Sequence, residues 1–264
     1  MVDVDLLNWT TSQLLVLLMI MIRTGPLIFL MPVIGSRSVP GQIKMLATVI
    51  TALALTSVVQ IDPGLMPETT AGFVFFILPE ICLTFIIALF SRFIFAATQL
   101  AGQMVGVQMG MGMAGVMDPQ YGIQVPVVGQ LWNLIAVLLF LSVNGHHIFF
   151  HALAESFQWV APGTIHLDRP VFEGVIQGAG HMFILTVKIM APASAAVFFT
   201  HVAMGIIAKT VPQVPILIVG MPLNIAVGLI FIGLSMAYFM PLMIEQFDML
   251  NRLIPKLMMG LGGQ

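Results

Sequence analysis

Charge is scarce in this sequence. Asp, Glu, Lys and Arg supply 8% of its 264 residues, against roughly a quarter in an ordinary soluble domain. Apolar residues supply 59%, and the mean hydropathy is +1.06. Such a chain belongs in or against a membrane. The nine basic residues are scattered and the net charge is −2, so no basic cluster stands ready to neutralise a phosphate backbone, and nucleic acid is excluded as a partner. Cysteine is nearly absent. Cys82 stands alone in an apolar run, so no internal disulfide forms and the sequence is silent on redox compartment. A basic n-region is missing as well. Asp3 and Asp5 stand where a secretory signal carries positive charge, and Arg23 interrupts the apolar run that follows. The first residues are therefore expected to be retained as the first membrane segment.

Catalytic signatures are also lacking. There is no HExxH, no GxSxG, no Walker loop and no paired-Asp motif in the apolar runs. Ser194 has no histidine near it in sequence, and Ser156 lies in a mixed loop. His147 and His151 are four apart and could share a metal on one helix face, with His146 beside them. No carboxylate or cysteine stands at a ligand spacing, however, and Asn144-Gly145 reads as a turn, so capping or interfacial histidines are the better reading. The expectation is a protein that is not an enzyme and has no catalytic residue, cofactor or metal. A channel or transporter, or a scaffold within a larger membrane complex, remains. An intramembrane metal enzyme built on the three histidines is the weaker alternative.

What the sequence does contain is six apolar stretches, at about 12–33, 45–61, 71–98, 126–151, 174–208 and 214–243. Each is long enough to consider as a spanning helix, the second only marginally. Lys and Arg favour the cytoplasmic side. The loops with Arg37 and Lys44, and with Lys209, would then lie inside, and the Asp62/Glu68 and Glu155–Glu173 loops outside, with both termini. The fifth stretch exceeds thirty residues, about 50 Å as a helix against a hydrocarbon core of about 30 Å. It must break, tilt or extend past the bilayer, and Pro192 among Ala191, Ala193, Ser194 and Ala195 is the expected break.

Four charges, Arg23, Glu80, Arg92 and Lys188, lie well inside apolar runs. A charge at that depth faces protein or water, usually with a partner. Glu80 and Arg92 are twelve apart, too far to pair on one straight helix. Their partners must come from other segments or other chains.

Glycine and methionine concentrate in one place. Residues 102–117, GQMVGVQMGMGMAGVM, hold five of each. Gly102, Gly106 and Gly110 are spaced by four and would line a helix face that lets another backbone approach. Beyond them Met109, Met111 and Met113 alternate with Gly110 and Gly112, a period of two that no helix face explains. Gly115, Met117 and the Asp118-Pro119 turn signal follow, and Pro126 starts the next helix. Residues 110–125 therefore read as a non-helical loop at or near membrane depth, tolerated where protein buries it or where it lines a watery cavity.

Four segments together carry a resemblance: MPVIGSRSVPGQIK (31–44), GQMVGVQMGMGMAGVMDPQYG (102–122), VNGHHIFFHALAESF (143–157) and KTVPQVPILIVGMPLNIAVGL (209–229). In order and spacing the chain resembles, over nearly its whole length, the FliR family of type III secretion export-gate subunits. The resemblance implies an all-α fold within a helical hetero-oligomer. A FliP-like region, 1–173, would be followed by a FliQ-like hairpin with a C-terminal tail, 174–264, turning on the cytoplasmic side at Lys209 and Pro212. It implies a flagellar protein-export channel across the bacterial inner membrane, within the basal body, through which unfolded export substrates pass. FliP-like and FliQ-like subunits and an FlhB-like switch protein would be partners. It also implies that the segment 106–122 is a pore plug, with Gly106, Met109, Gly110, Met111, Gly112, Met113, Gly115, Met117, Asp118 and Pro119 as its residues. The alternative is a polytopic secondary transporter of small solutes. Such a protein should show inverted repeats with paired broken helices, and no matched pair of halves is found around Pro26 and Pro192.

Overall fold

The computed structural model describes residues 2–59, 61–65, 67, 69–111, 127–166, 168–211, 213 and 216–263. Among them the chain is all-helical: α1 (Val2–Leu30), α2 (Gly41–Thr56), α3 (Thr70–Gln108), α4 (Val127–Ser142), α5 (Gly145–Trp159), α6 (Arg169–Thr210) and α7 (Ile216–Leu261), with a 3₁₀ turn at Pro63–Leu65. Four of these helices are long and apolar enough to cross a membrane, or five if α4 and α5 form one bent span. The marginal second stretch is the 16-residue α2, short of a full crossing. The fourth stretch is two helices, because Asn144 takes the left-handed conformation (φ 55°) and stops α4.

Pro192 does not break α6. The helix runs unbroken for 42 residues with Pro192 inside it. Proline withholds a single donor, from the carbonyl of Lys188, and a neighbouring helix can hold the rest of the ladder in place. α7 lies against the first part of α6. A Cβ at Gly174 would touch Leu257 and one at Gly260 would touch Val171, while further along His181 Nε2 and Gln246 Oε1 are 2.7 Å apart. In each case the α6 number rises as the α7 number falls, the register of an antiparallel hairpin. At about 1.5 Å per residue, the 42 residues of α6 and 46 of α7 reach about 63 and 69 Å. Tilt or extension past a bilayer, rather than a break, accommodates them.

The chain divides into two compact units. One comprises Met1–Arg92, Asn144–Gly178 and Phe247–Gln264, and the other Phe93–Val143 and Ala179–Gln246. In the first, α1 packs on α2 and the turn after it through Val16, Ile20, Ala52 and Val59, with Leu17, Met21, Leu55 and Phe157 around them. The turn after α1 holds Val33 at φ 72°, and Lys44 reaches back from α2 to donate to the Gly35 carbonyl at 3.1 Å. In the second unit, Trp132 is fully buried and stacks on Phe239, and Phe95 meets Phe140 edge-on. Much apolar surface stays uncovered by the chain itself, including Phe172, Ile176, Phe183, Val187, Phe198 and Phe199 along α6.

Candidate functional site

Two places gather the residues that the sequence singles out, one in each unit. The first is a buried charge junction. Arg23, in the last third of α1, and Glu80, in α3, are 0% and 2% exposed. The guanidinium donates through Nε to Glu80 Oε2 at 2.5 Å and through Nη2 to Oε1 at 2.9 Å, a two-pronged pair. Its other edge points to the end of α5, where Nη1 donates to the carbonyls of Ser156 and Val160 at 2.9 and 3.1 Å and reaches Ser156 Oγ at 3.2 Å. Helix C-termini favour cations, so Arg23 is held by a carboxylate on one side and by the α5 end on the other. The Phe157 ring lies 4.2 Å from the guanidinium carbon and shields its face.

Glu80 has a third donor. The Gly163 amide donates to Oε1 at 2.7 Å. Ala161-Pro162-Gly163-Thr164 forms a turn closed by Thr164 N–H to the Ala161 carbonyl at 3.1 Å, with Gly163 at φ 76°. Proline second and a positive-φ glycine third is the chemistry of a type II turn. A Cβ at Gly163 would also run into the Phe76 ring. Both ionised groups are thus met by hydrogen bonds on several sides, as burial requires. Arg92 and Lys188 are placed differently, both being exposed on the surface of the single chain.

The second place is the glycine–methionine end of α3. Its three glycines at four-residue spacing have three distinct surroundings. A Cβ on Gly102 would strike the backbone of Gly129, so α3 and α4 touch main chain to main chain there. A Cβ on Gly106 would meet nothing within 4 Å. Gly110 takes φ 83°. Its N–H donates to the Val107 carbonyl at 3.0 Å, and the Met111 N–H donates to the Gly106 carbonyl at 3.0 Å. This paired pattern around a left-handed glycine is the Schellman ending of a helix. Met109, just inside it, is fully buried, whereas Met111 is 36% exposed.

The face of α7 opposite this helix end carries Met221 and Gly228, seven residues and so about two turns apart. A Cβ on Gly110 would lie 3.9 Å from Met221 Cγ, and one on Gly228 would lie 2.6–2.7 Å from Cγ, Sδ and Cε of Met109. Asn224 shares that face; its Oδ1, like Oε1 of Gln108, is buried with no hydrogen-bond partner among the described residues. Gly112, Met113, Gly115, Met117, Asp118 and Pro119 lie outside the described residues, as does Pro212 at the α6–α7 turn. Lys209 is exposed in the last turn of α6, where a cation suits the helix end.

Sequence reasoning missed Ser156, Val160 and Gly163 at the charge junction and Gly228 at the helix end. The Pro-Gly pair at 162–163 was the one visible signal, since it marks a turn. The His146 and His147 rings lie 4.4 Å apart and His151 is exposed. Among the described residues no three His, Cys, Asp or Glu side chains are grouped to hold a metal.

Comparison with known proteins covers almost the whole chain. The profile of the family "bacterial export proteins, family 1" matches residues 14–250. The flagellar biosynthetic protein FliR of Bacillus subtilis (strain 168) is 31% identical over 223 residues, covering 83% of this chain and 85% of that one. FliR of Escherichia coli (strain K12) is 27% identical over 90% of this chain and 92% of its own. FliR of Pectobacterium carotovorum subsp. carotovorum is 28% identical over 96% of each.

Proposed function

The chain belongs to the bacterial export proteins, family 1, together with the FliR proteins, and from that premise we propose that it helps to form the protein-export channel of the flagellar apparatus. At the coarser level it is a membrane-embedded component of flagellar export. In the finer reading it is one subunit of the export gate in the bacterial inner membrane, within the basal body. It assembles there with FliP-like and FliQ-like subunits, is contacted by an FlhB-like switch protein, and lets unfolded substrates pass. Residues 1–173 serve as the FliP-like region and 174–264 as the FliQ-like hairpin with its tail. The segment 106–122 plugs the idle pore: thioether side chains fill irregular gaps, and glycines let a loop move aside at little steric cost.

The observation that carries this reading is the family match over residues 14–250. The uncovered apolar surface and the exposed Lys188 and Arg92 support it, because charges among exposed apolar residues of a spanning helix call for partners from other chains. Purification tests the assembly: the chain should copurify stably with FliP-like and FliQ-like subunits, and Lys188→Ala should lower the yield of that complex. Isolation as a lone, active small-solute transporter would sink the reading. Conductance tests the plug. Deleting 110–117 should raise the closed-state conductance of the assembled complex, and an unchanged value would leave these residues with a packing role only.

A further inference from the structure

The gap at Gly228 is shaped by one particular side chain. Three consecutive atoms of Met109, Cγ, Sδ and Cε, occupy the space that a Cβ at position 228 would claim. Met109 is fully buried and stands immediately before the left-handed Gly110 that ends α3. At Gly233, on the same helix, glycine has no such consequence: a Cβ there would meet nothing within 4 Å. We infer that Gly228 is a positioning residue, a notch in α7 that seats the Met109 thioether and so fixes the point at which the chain leaves α3. Its importance for export rests on the channel reading above; the seat itself does not.

The physical argument turns on what must yield. Where an added Cβ overlaps backbone, two helices have to part. Where it overlaps a thioether, the unbranched side chain can rotate away, so the fold survives and the methionine moves. A side chain at 228 is therefore expected to expel Met109 from its seat and expose its sulfur, with the helices left in place. Glycine within a helix otherwise weakens it, so its presence in α7 calls for a reason, and the overlap with Met109 supplies one.

Methionine oxidation reads the position of Met109 directly, because sulfoxide formation needs access to the sulfur. The assembled complex would be exposed to dilute peroxide, and sulfoxide at Met109 followed by peptide mass spectrometry. In Gly228→Ala and Gly228→Val complexes Met109 should oxidise several-fold faster than in the unaltered complex, while Gly233→Val should leave its rate unchanged. Equal rates in all four would overturn the seat. If Gly228→Val does not assemble, adding Met109→Ala removes the overlap and should restore the yield; failure to restore it would also overturn the seat. Conductance of the same complexes separates the two ideas. Faster oxidation with a raised closed-state conductance supports both. Faster oxidation with unchanged conductance keeps the seat and counts against Met109 as part of the closed seal. Unchanged oxidation beside a leak on deleting 110–117 keeps the plug and removes the seat.

Discussion

Around Arg23 burial is matched by direction. A guanidinium meets a carboxylate in a two-pronged pair, two carbonyls at a helix end and an aromatic face, and the carboxylate takes a further donor from a turn. Around Met109 burial is matched by shape. An apolar side chain fills a gap left by a glycine, beside a helix that ends on a second glycine. The first arrangement has one geometry in which its charges are satisfied, and any departure strands a charge. The second tolerates rearrangement, since a thioether can be rehoused at modest cost. A membrane protein that must hold its shape and also move has use for both kinds of interior.

The contrast breaks hardest at Glu80. Glu80→Ala leaves Arg23 buried without its carboxylate, an expected loss of about 3–5 kcal/mol. It should appear as a large fall in the thermal midpoint of the purified complex, or as loss of the chain from membranes. Replacing both, Arg23→Met with Glu80→Leu, should recover part of the loss, because no charge is then stranded. The recovery stays partial, since the Gly163 amide and the Val160 carbonyl still lack their partners. A double variant no more stable than the single one would show that the ion pair does not hold the junction.

Next in size is Gly102→Ala, where the new methyl overlaps the Gly129 backbone and nothing can swing aside. An overpacking cost of about 1–3 kcal/mol is expected. Trp132 on α4, fully buried against Phe239, should report the displacement as a change in its emission. Gly110→Ala comes third. A left-handed alanine costs about 1–2 kcal/mol, and hydrogen exchange at the amides of residues 110 and 111 should quicken as the helix end frays. Gly106→Ala is last and has the opposite sign. With free space around the new methyl, helix propensity should add about 0.5–1 kcal/mol. A fall in midpoint instead would mean that another backbone closes on that face in the assembled complex.

Those three glycines show where the sequence is legible and where it is not. Hydropathy marked the apolar stretches and the depth of Arg23 and Glu80 but not where the helices end, and residue identity marked the turn at Asn144-Gly145 and the change of pattern after Gly110, because each of these signals depends on residues adjacent along the chain. Spacing could not separate Gly102, Gly106 and Gly110, since their roles depend on what another helix brings to each of them. Nor could it pair Arg23 with Glu80, 57 residues away, or name Gly163 as the third member. Pro192 taught the converse. A local rule predicted a break, and the helix runs through the proline unbroken.

The turn at Ala161–Thr164 has a consequence for how the protein is made. Arg23 enters the growing chain 57 residues before Glu80 and 137 before the Val160 carbonyl. At about 5–20 residues per second, a ribosome needs roughly 7–27 s to supply the last of these. For the first 57 residues of that interval the guanidinium of the first helix has no carboxylate, and for the rest the pair still lacks the α5 carbonyls and the Gly163 amide, which makes it a poor candidate for release into lipid on its own. Insertion of α1 and α3 is thereby tied to the arrival of α5 and its turn. A nascent chain halted before residue 163 should remain extractable from the membrane at alkaline pH, while one halted well beyond it should resist extraction.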